Sequence, residues 1–157
     1  MLKTTIKLIA ALGITVNMIS PITVNAQIPN KTIILPIQSR PITGVGWQLK
    51  TTSTSAEIGL AKHLTSVGAK MYGAWWCPHC HSQKQLFGKQ AFSKIKYIEC
   101  DNRGKKPQQK LCIDANIKGF PTWEINGELY PGVRELEELA ELSKYQGNSK
   151  FKYQLGR

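Results

Sequence analysis

The sequence predicts one α/β domain with a central mixed sheet flanked by helices. Of its 157 residues, 41% are hydrophobic and 20% are charged, which suits a single core and excludes a collagen-like repeat or a long coiled coil. Segments with helical and strand periodicity alternate between residues 54 and 145 in the order α-β-α-β-α-β-β-α. Asn126-Gly127 lies between two strand-like runs and is a strong signal for a hairpin. A helical crossover before a terminal hairpin implies both parallel and antiparallel strand pairs.

The first half of this domain contains a helix, a strand and a second helix. Thr54 precedes Glu57 by three residues, which is the pattern of a capping box at the start of a helix. The apolar segment 69–76 is short enough to be a buried strand. The run Cys77-Pro78-His79-Cys80 follows it directly and leads into a helix that reaches about residue 92.

The second half of the domain contains three further strands and two helices. Residues 95–99 alternate as a strand, and residues 107–116 form a helix with Pro107 in its first turn. Residues 122–125 and 128–130 are the arms of the hairpin. An amphipathic helix over residues 136–142 closes the domain.

Residues 1–26 have the pattern of a secretory signal peptide. Lys3 and Lys7 precede an apolar run over residues 8–19, and the small residues Val24 and Ala26 close the segment. This run is shorter than the ~20 residues that a membrane-spanning helix needs. An uncleaved membrane anchor is the alternative interpretation. In either case the rest of the chain is expected outside the cytoplasm, where cysteines can stay oxidised.

Residues 27–53 are predicted to be a linker, and residues 146–157 a basic C-terminal tail. The formal net charge of the chain is +11, from 21 Lys and Arg against 10 Asp and Glu, and much of the excess lies in these flexible ends. The predicted linker has no acidic residue and little periodicity, apart from a possible edge strand at 32–35. Basic stripes interleaved with aromatic residues, which would indicate nucleic-acid binding, are absent from the sequence. The charge is expected to serve solubility, with weak association to an anionic membrane surface as the alternative.

The Cys77–Cys80 run predicts a redox-active cysteine pair. A cysteine at a helix N-terminus is stabilised as a thiolate by unpaired N–H groups and by the helix dipole, so Cys77 is expected to be the exposed, attacking sulfur. Cys80 follows one turn later, close enough to form a disulfide with it and to open it again. Pro78 presets the first helical turn, and His79 adds a donor or a charge near the sulfur. Half of a zinc site is the alternative, but a second C-x-x-C pair is absent and no metal or cofactor is expected.

The other two cysteines are predicted to bond with each other. Cys100 ends a strand and Cys112 lies in the next helix, so that a disulfide between them is geometrically reasonable. Closing a loop of about 13 residues contributes ~3 kcal/mol in the chain-entropy model. A structural role is the favoured interpretation, and a second redox pair that relays electrons is the alternative.

Three residues are candidates for the surface beside the sulfurs. Pro121 is expected to follow a cis peptide bond, because cis bonds are essentially a proline feature and this loop must expose backbone there. A trans proline at the start of a strand is the alternative. Trp76 and Phe120 are candidate substrate contacts. Strand alternation turns inward one of the two residues Trp75 and Trp76.

Residues 54–145 resemble the thioredoxin-fold thiol–disulfide oxidoreductases. The segment 73–80 looks like their active-site strand and turn, Gly119-Phe120-Pro121-Thr122 resembles their cis-proline loop, and Asn126-Gly127 with Pro131-Gly132 resembles their terminal hairpin. With the neighbouring residues 70–81, 83, 99–101, 111–112 and 119–127, the chain is similar to one subfamily. That subfamily is the thioredoxin-like domain associated with bacterial and plant vitamin K epoxide reductase homologues.

The resemblance implies a thioredoxin-like fold and a disulfide oxidase that acts in oxidative protein folding, in the periplasm or the thylakoid lumen. Its substrates would be protein thiols and disulfides, and a quinone-linked membrane protein of the vitamin K epoxide reductase type would reoxidise it. A disulfide reductase or isomerase, and a non-enzymatic binding module with a structural or zinc-bound C-x-x-C, are the alternatives. The chain departs from the thioredoxin pattern at Met71. Thioredoxins have there a buried Asp that transfers a proton at the second Cys, so this step must pass through water or another residue.

Overall fold

Helices and strands alternate along residues 42–156, the part of the chain that the computed structural model describes. The elements are α1 (Ser55–Ser66), β1 (Lys70–Gly73), α2 (Pro78–Phe92), β2 (Tyr97–Glu99), α3 (Gln109–Asp114), β3 (Thr122–Ile125), β4 (Glu128–Pro131) and α4 (Leu136–Leu142). This is the order that the sequence predicts. The predicted signal peptide at 1–26, the first part of the predicted linker and the edge strand at 32–35 lie outside the described residues. Within residues 42–156, no helix is long and apolar enough to cross a membrane.

The four strands form one mixed sheet in the order β2-β1-β3-β4. β1 and β2, which α2 connects, are parallel, whereas β1 pairs antiparallel with β3, and β3 with β4. The hairpin turns at Asn126 and Gly127, both of which have positive φ angles, as a two-residue turn of this kind requires. The predicted α/β class, with a central mixed sheet flanked by helices as in thioredoxin-like folds, is confirmed.

The predicted capping box starts α1. The Thr54 side chain accepts a hydrogen bond from the backbone N–H of Ala56, and the Glu57 carboxylate accepts one from the backbone N–H of Thr54. The helix then buries Leu60 and Leu64 against the sheet. The start of α3 differs slightly from the prediction. The helix begins at Gln109, so Pro107 precedes it and does not lie in its first turn.

Two apolar clusters lie on opposite faces of the sheet. Successive β1 residues point to opposite faces, so Met71 belongs to the larger cluster and Tyr72 to the smaller one. The larger cluster also holds Trp123, which has no solvent exposure. Cys77 and Cys80 lie on this side of the sheet.

Part of the predicted linker is packed against α2. Gly88 interrupts the helical backbone of α2 with a φ of +75°, and the preceding segment supplies hydrogen-bond partners at this kink. Ser53 Oγ donates to the Phe87 carbonyl at 2.8 Å and accepts from the Ala91 N–H at 2.8 Å. The Thr51 hydroxyl donates to another α2 carbonyl at 2.7 Å. The folded unit therefore extends beyond the predicted boundary at residue 54.

The predicted basic tail is likewise in contact with the domain. The backbone N–H of Lys152 donates to Glu57 at 2.6 Å. Phe151 and Tyr153 are partly buried against the larger apolar cluster. These two aromatic side chains attach the segment, while its lysine side chains remain in solvent.

Cys100 and Cys112 form a disulfide that joins the end of β2 to α3. Their Cα atoms are 5.9 Å apart, and both residues are buried in the smaller cluster with Tyr72 and Ile98. The bond therefore lies on the opposite face of the sheet from the other two cysteines. This position favours the structural interpretation of the second cysteine pair.

Replacing both residues of this disulfide (Cys100→Ala with Cys112→Ala) is expected to lower the free energy of unfolding by about 3 kcal/mol, because the bond closes a loop of about 13 residues. Urea unfolding of the oxidised proteins would measure the difference. The fully reduced wild type is the control and should approach the stability of the double variant. If the double variant is as stable as the oxidised wild type, the bond is not structural, and the relay interpretation gains support.

Candidate active site

The turn between β1 and α2 places both cysteines of the C-x-x-C run at the start of α2. β1 ends at Gly73, and Cys77 is the N-cap residue of the helix, with extended backbone angles. Its sulfur accepts a hydrogen bond from the backbone N–H of Cys80 at 3.1 Å, which satisfies one of the donors that a helix start leaves open. Pro78 occupies the first helical position, where its missing N–H is not needed. His79 is exposed to solvent beside the sulfurs.

The two cysteines differ little in exposure. Cys77 is 4% exposed and Cys80 is 1% exposed, so the expectation of an exposed Cys77 is wrong. A difference in reactivity between the two sulfurs must therefore be electrostatic.

The electrostatic difference between the cysteines is large. The hydrogen bond from the Cys80 thiol lowers the pKa of Cys77 to about 6, helped by the Cys80 N–H and the charge of His79, while burial opposes the shift. The same hydrogen bond, together with burial, raises the pKa of Cys80 well above that of an ordinary thiol. At neutral pH, Cys77 is consequently a thiolate and Cys80 a neutral thiol, which makes Cys77 the nucleophile.

Three residues that the sequence analysis missed lie beneath Cys80. They are Lys84, Tyr97 and Glu99. The Lys84 ammonium lies 3.8 Å from the centre of the Tyr97 ring, and the Tyr97 hydroxyl donates to Glu99 at 3.2 Å. Burial is the main cause that lowers the pKa of Lys84 and raises that of Tyr97. The available sequence signals were the spacing of four residues from Cys80 to Lys84 and the alternation within β2.

Met71 is fully buried in the larger cluster, as its apolar side chain requires. Gly73, two residues later on the same face, is needed for space. A Cβ atom there would lie 2.9 Å from the Cys80 sulfur and 3.0 Å from the Tyr97 hydroxyl oxygen. Any side chain at this position would displace the sulfur or the tyrosine.

An apolar surface lies beside the cysteines. Trp76 is 43% exposed and meets Phe120 edge to face, with ring centroids 6.3 Å apart. The peptide bond between Phe120 and Pro121 is cis. The Trp76 indole N–H donates to Asp101 at 2.6 Å, which fixes the ring. The structure thus brings together the two predicted substrate contacts and the predicted cis proline.

Asp101 also pairs with Arg103 in the loop after β2. Hydrogen bonds from Arg103, and a further one from the Trp76 indole, hold the pKa of Asp101 well below its usual range. The carboxylate therefore stays charged and keeps the Trp76 ring in place at all physiological pH values. Across residues 42–156, no group of three or more His, Cys, Asp or Glu side chains is arranged to hold a metal ion.

The role of the Cys80 thiol can be tested through the pH dependence of Cys77 alkylation by iodoacetamide. The reduced wild type should react at half its maximal rate near pH 6, compared with about 8.5 for an unperturbed cysteine. Cys80→Ala removes the donor, so this midpoint should move upwards. Cys80→Ser is the matched control, because its hydroxyl can still donate, and its midpoint should move less. Equal midpoints in the two variants would contradict the role assigned to this hydrogen bond.

Comparison with known proteins gives a relative with a named activity. No family model matches the chain. Over 101 residues it is 48% identical to the thiol-disulfide oxidoreductase LTO1 of Arabidopsis thaliana. The matched segment is 62% of this chain and 27% of the relative, so the chain spans about a quarter of the length of that protein. The pair of cysteines at the start of α2 thus lies in a chain that is similar to a named thiol–disulfide oxidoreductase.

Proposed function

We propose that this protein is a thiol–disulfide oxidoreductase in which Cys77 and Cys80 exchange electrons with protein thiols and disulfides. The observation that carries this proposal is the pairing of a stabilised thiolate with a neutral thiol at one helix start. The similarity to a thiol–disulfide oxidoreductase over 101 residues supports it. The exposed ring of Trp76, together with Phe120 at the cis proline, offers an apolar contact for a substrate peptide.

The chemistry proceeds through a mixed disulfide. In the oxidising direction, a substrate thiolate attacks the Cys77 sulfur of the Cys77–Cys80 disulfide, and Cys80 leaves and takes up a proton. A second substrate thiolate then attacks the substrate sulfur of the mixed disulfide, and Cys77 leaves as a thiolate. The substrate has lost two electrons and gained a disulfide, while the cysteine pair has gained both electrons. A low pKa makes Cys77 a good leaving group in the second step.

The favoured direction is oxidation of substrates. A disulfide becomes more oxidising as the thiolate of its reduced form becomes more stable. A pKa of about 6 for Cys77 lies below the value of about 7 in thioredoxin and above the value of about 3.5 in the strongest periplasmic oxidase. This intermediate pKa of Cys77 supports a reduction potential between the ~−270 mV and ~−120 mV of those two proteins.

The proposed place of action is outside the cytoplasm, in the periplasm or the thylakoid lumen. The signal-like pattern of residues 1–26 supports it. We also propose that a quinone-linked membrane protein of the vitamin K epoxide reductase type reoxidises the Cys77–Cys80 pair. The resemblance of residues 54–145 to the domain associated with those reductases supports this partner.

Mixed disulfides should accumulate in the Cys80→Ser variant, since Cys77 can attack a disulfide but no second sulfur can release the adduct. Cys77→Ser is the matched control and should form almost none, because Cys80 is 1% exposed and its burial, which the variant does not change, raises the pKa of its thiol. Incubation with oxidised glutathione or insulin, followed by mass spectrometry without reductant, would measure the adducts. Adducts on Cys80, or none in either folded variant, would contradict the proposed function.

His79→Ala should lower the reduction potential by tens of millivolts, because the charge of His79 helps to stabilise the Cys77 thiolate and about 30 mV corresponds to 1.4 kcal/mol. Equilibration with glutathione redox buffers would measure it. His63→Ala is the control, since His63 bonds to Ser143 at the far end of α1. An unchanged value in His79→Ala would show that His79 does not contribute to the reduction potential of the Cys77–Cys80 pair. A wild-type potential near ~−270 mV would favour a reductase.

A further inference from the structure

Cys80 needs a proton donor and acceptor that the predicted active site does not contain. Its thiol is 1% exposed, yet it must lose a proton whenever it attacks the Cys77 mixed disulfide and gain one whenever it leaves. Met71 beside it on the larger cluster cannot take a proton. Another ionisable group close to the Cys80 sulfur must therefore exchange this proton.

The register of β1 and β2 brings two polar side chains to this place. Met71 is paired with Tyr97, and Gly73 with Glu99. Alternate residues of a strand share a face, so Tyr97 and Glu99 lie on the face of the sheet that Cys80 packs against. The space left by Gly73 is within 2.9 Å of the Cys80 sulfur and 3.0 Å of the Tyr97 hydroxyl oxygen. These two atoms are therefore at most about 6 Å apart, a gap that one water molecule can bridge.

The Glu99 carboxylate is held so that one oxygen faces this space. Oε1 accepts the backbone N–H groups of Trp75 at 3.2 Å and Asp101 at 3.0 Å. Oε2 accepts the Tyr97 hydroxyl at 3.2 Å, its single hydrogen bond within residues 42–156. Gly104 closes the loop over the carboxylate, since a Cβ atom there would lie 2.3 Å from Glu99 Cγ.

Burial of Glu99 is costly and needs an explanation. The residue is 4% exposed, and within the described part of the chain none of the ion pairs includes it. A buried carboxylate without a cationic partner loses hydration that hydrogen bonds replace only in part.

The surroundings contain few other candidates for this proton. β1 contributes the uncharged residues Met71 and Gly73. The elements packed around Cys80, Tyr97 and Glu99 carry several other titratable or charged groups. They are Cys77, His79, His81 and Lys84 on α2, Asp101 and Arg103 in the loop after β2, and Lys50 in the N-terminal segment. Asp101 is engaged by Arg103. Lys84, above the Tyr97 ring, supplies a positive charge near the sulfur.

We propose that Glu99 is the proton acceptor and donor for Cys80, acting through the Tyr97 hydroxyl. This inference rests on the proposed function. When Cys80 attacks the mixed disulfide, its proton passes through a bridging water molecule to the Tyr97 oxygen, while the Tyr97 proton passes to Glu99 Oε2. A bond forms between the Cys80 and Cys77 sulfurs, the bond from Cys77 to the substrate sulfur breaks, and the substrate leaves as a thiolate. In the oxidising direction each transfer runs in reverse, and Glu99 returns the proton to Cys80.

The test is the lifetime of the mixed disulfide between Cys77 and glutathione, followed by mass spectrometry after reduced protein is mixed with oxidised glutathione. Glu99→Gln keeps an oxygen for the N–H groups of Trp75 and Asp101 but cannot take a proton. At pH 6–7 its mixed disulfide should decay at least about tenfold more slowly than in the wild type, given the usual size of general acid–base effects. The deficit should shrink towards pH 9–10, where hydroxide takes the proton instead. Tyr97→Phe should behave in the same way.

Glu124→Gln is the matched control. Glu124 accepts a hydrogen bond from the Tyr72 hydroxyl, which makes a second Tyr–Glu pair in the same sheet. Tyr72 belongs to the opposite cluster, with the Cys100–Cys112 disulfide, so this variant should resolve the mixed disulfide at the wild-type rate. Cooperative urea unfolding of Glu99→Gln and Tyr97→Phe would show that both variants are folded.

Three results would overturn the proposal. Wild-type decay of the mixed disulfide in both Glu99→Gln and Tyr97→Phe would show that the proton takes another route. A slowing by one constant factor at every pH would show that Glu99 acts only through shape. Failure of the wild type to form the mixed disulfide at all would instead reject the proposed function, and the inference with it. The first two results leave the proposed function in place.

Discussion

The hydrogen bond from the Cys80 backbone N–H to the Cys77 sulfur is the interaction on which the active site depends. It makes a reactive side chain the N-cap of α2, so the geometry that starts the helix also adds to the stabilisation of the Cys77 thiolate by the Cys80 thiol. A serine or an aspartate would serve the helix equally well, but neither can form a disulfide. Helix stability and redox chemistry are thereby joined in one atom, and any change to the first turn of α2 affects both.

The sheet separates two kinds of sulfur chemistry. On the face with the larger apolar cluster, Cys77 and Cys80 lie next to polar groups and an exposed apolar surface. On the face with the smaller cluster, Cys100 and Cys112 form a disulfide that packs with Tyr72 and Ile98. One-residue alternation along β1 and β2 creates this separation, because Tyr97 and Ile98 are neighbours in the chain and lie on opposite faces. The same short strands thus keep a labile pair and a buried bond from sharing an environment.

Local patterns predicted the fold well. The capping box at Thr54, the turn at Asn126-Gly127 and the position of the Cys77–Cys80 run each depend on residues within a few positions of one another, so the sequence contains the whole signal. Contacts between distant residues were missed. Ser53 meets α2 more than thirty residues later, and its polar character reads as a linker when that partner is unknown.

The candidate site shows the same limit. The chemistry of Cys77 follows from its place at a helix start, but its exposure of only 4% does not follow from that position. Glu99 carries no motif, and it reads as one polar residue of a short strand. Its importance appears only when the register with β1 places it across from Gly73. Sequence patterns identify groups that act through their own neighbours, and tertiary structure is needed for groups that act across strands.

The attachment of residues 47–53 to α2 has a consequence for the order in which the protein assembles. Ser53 is synthesised before the α2 groups that it bonds, so these contacts can form only after α2 has been synthesised. Trp47 lies against His81, with ring centroids 5.4 Å apart, so the attached segment reaches the first turn of α2. Detachment of residues 47–53 would uncover His81 and leave the backbone at the Gly88 kink without the hydrogen bonds from Ser53. Hydrogen exchange at the single amide of Ala91, which bonds to Ser53, therefore reports whether residues 47–53 are attached to α2.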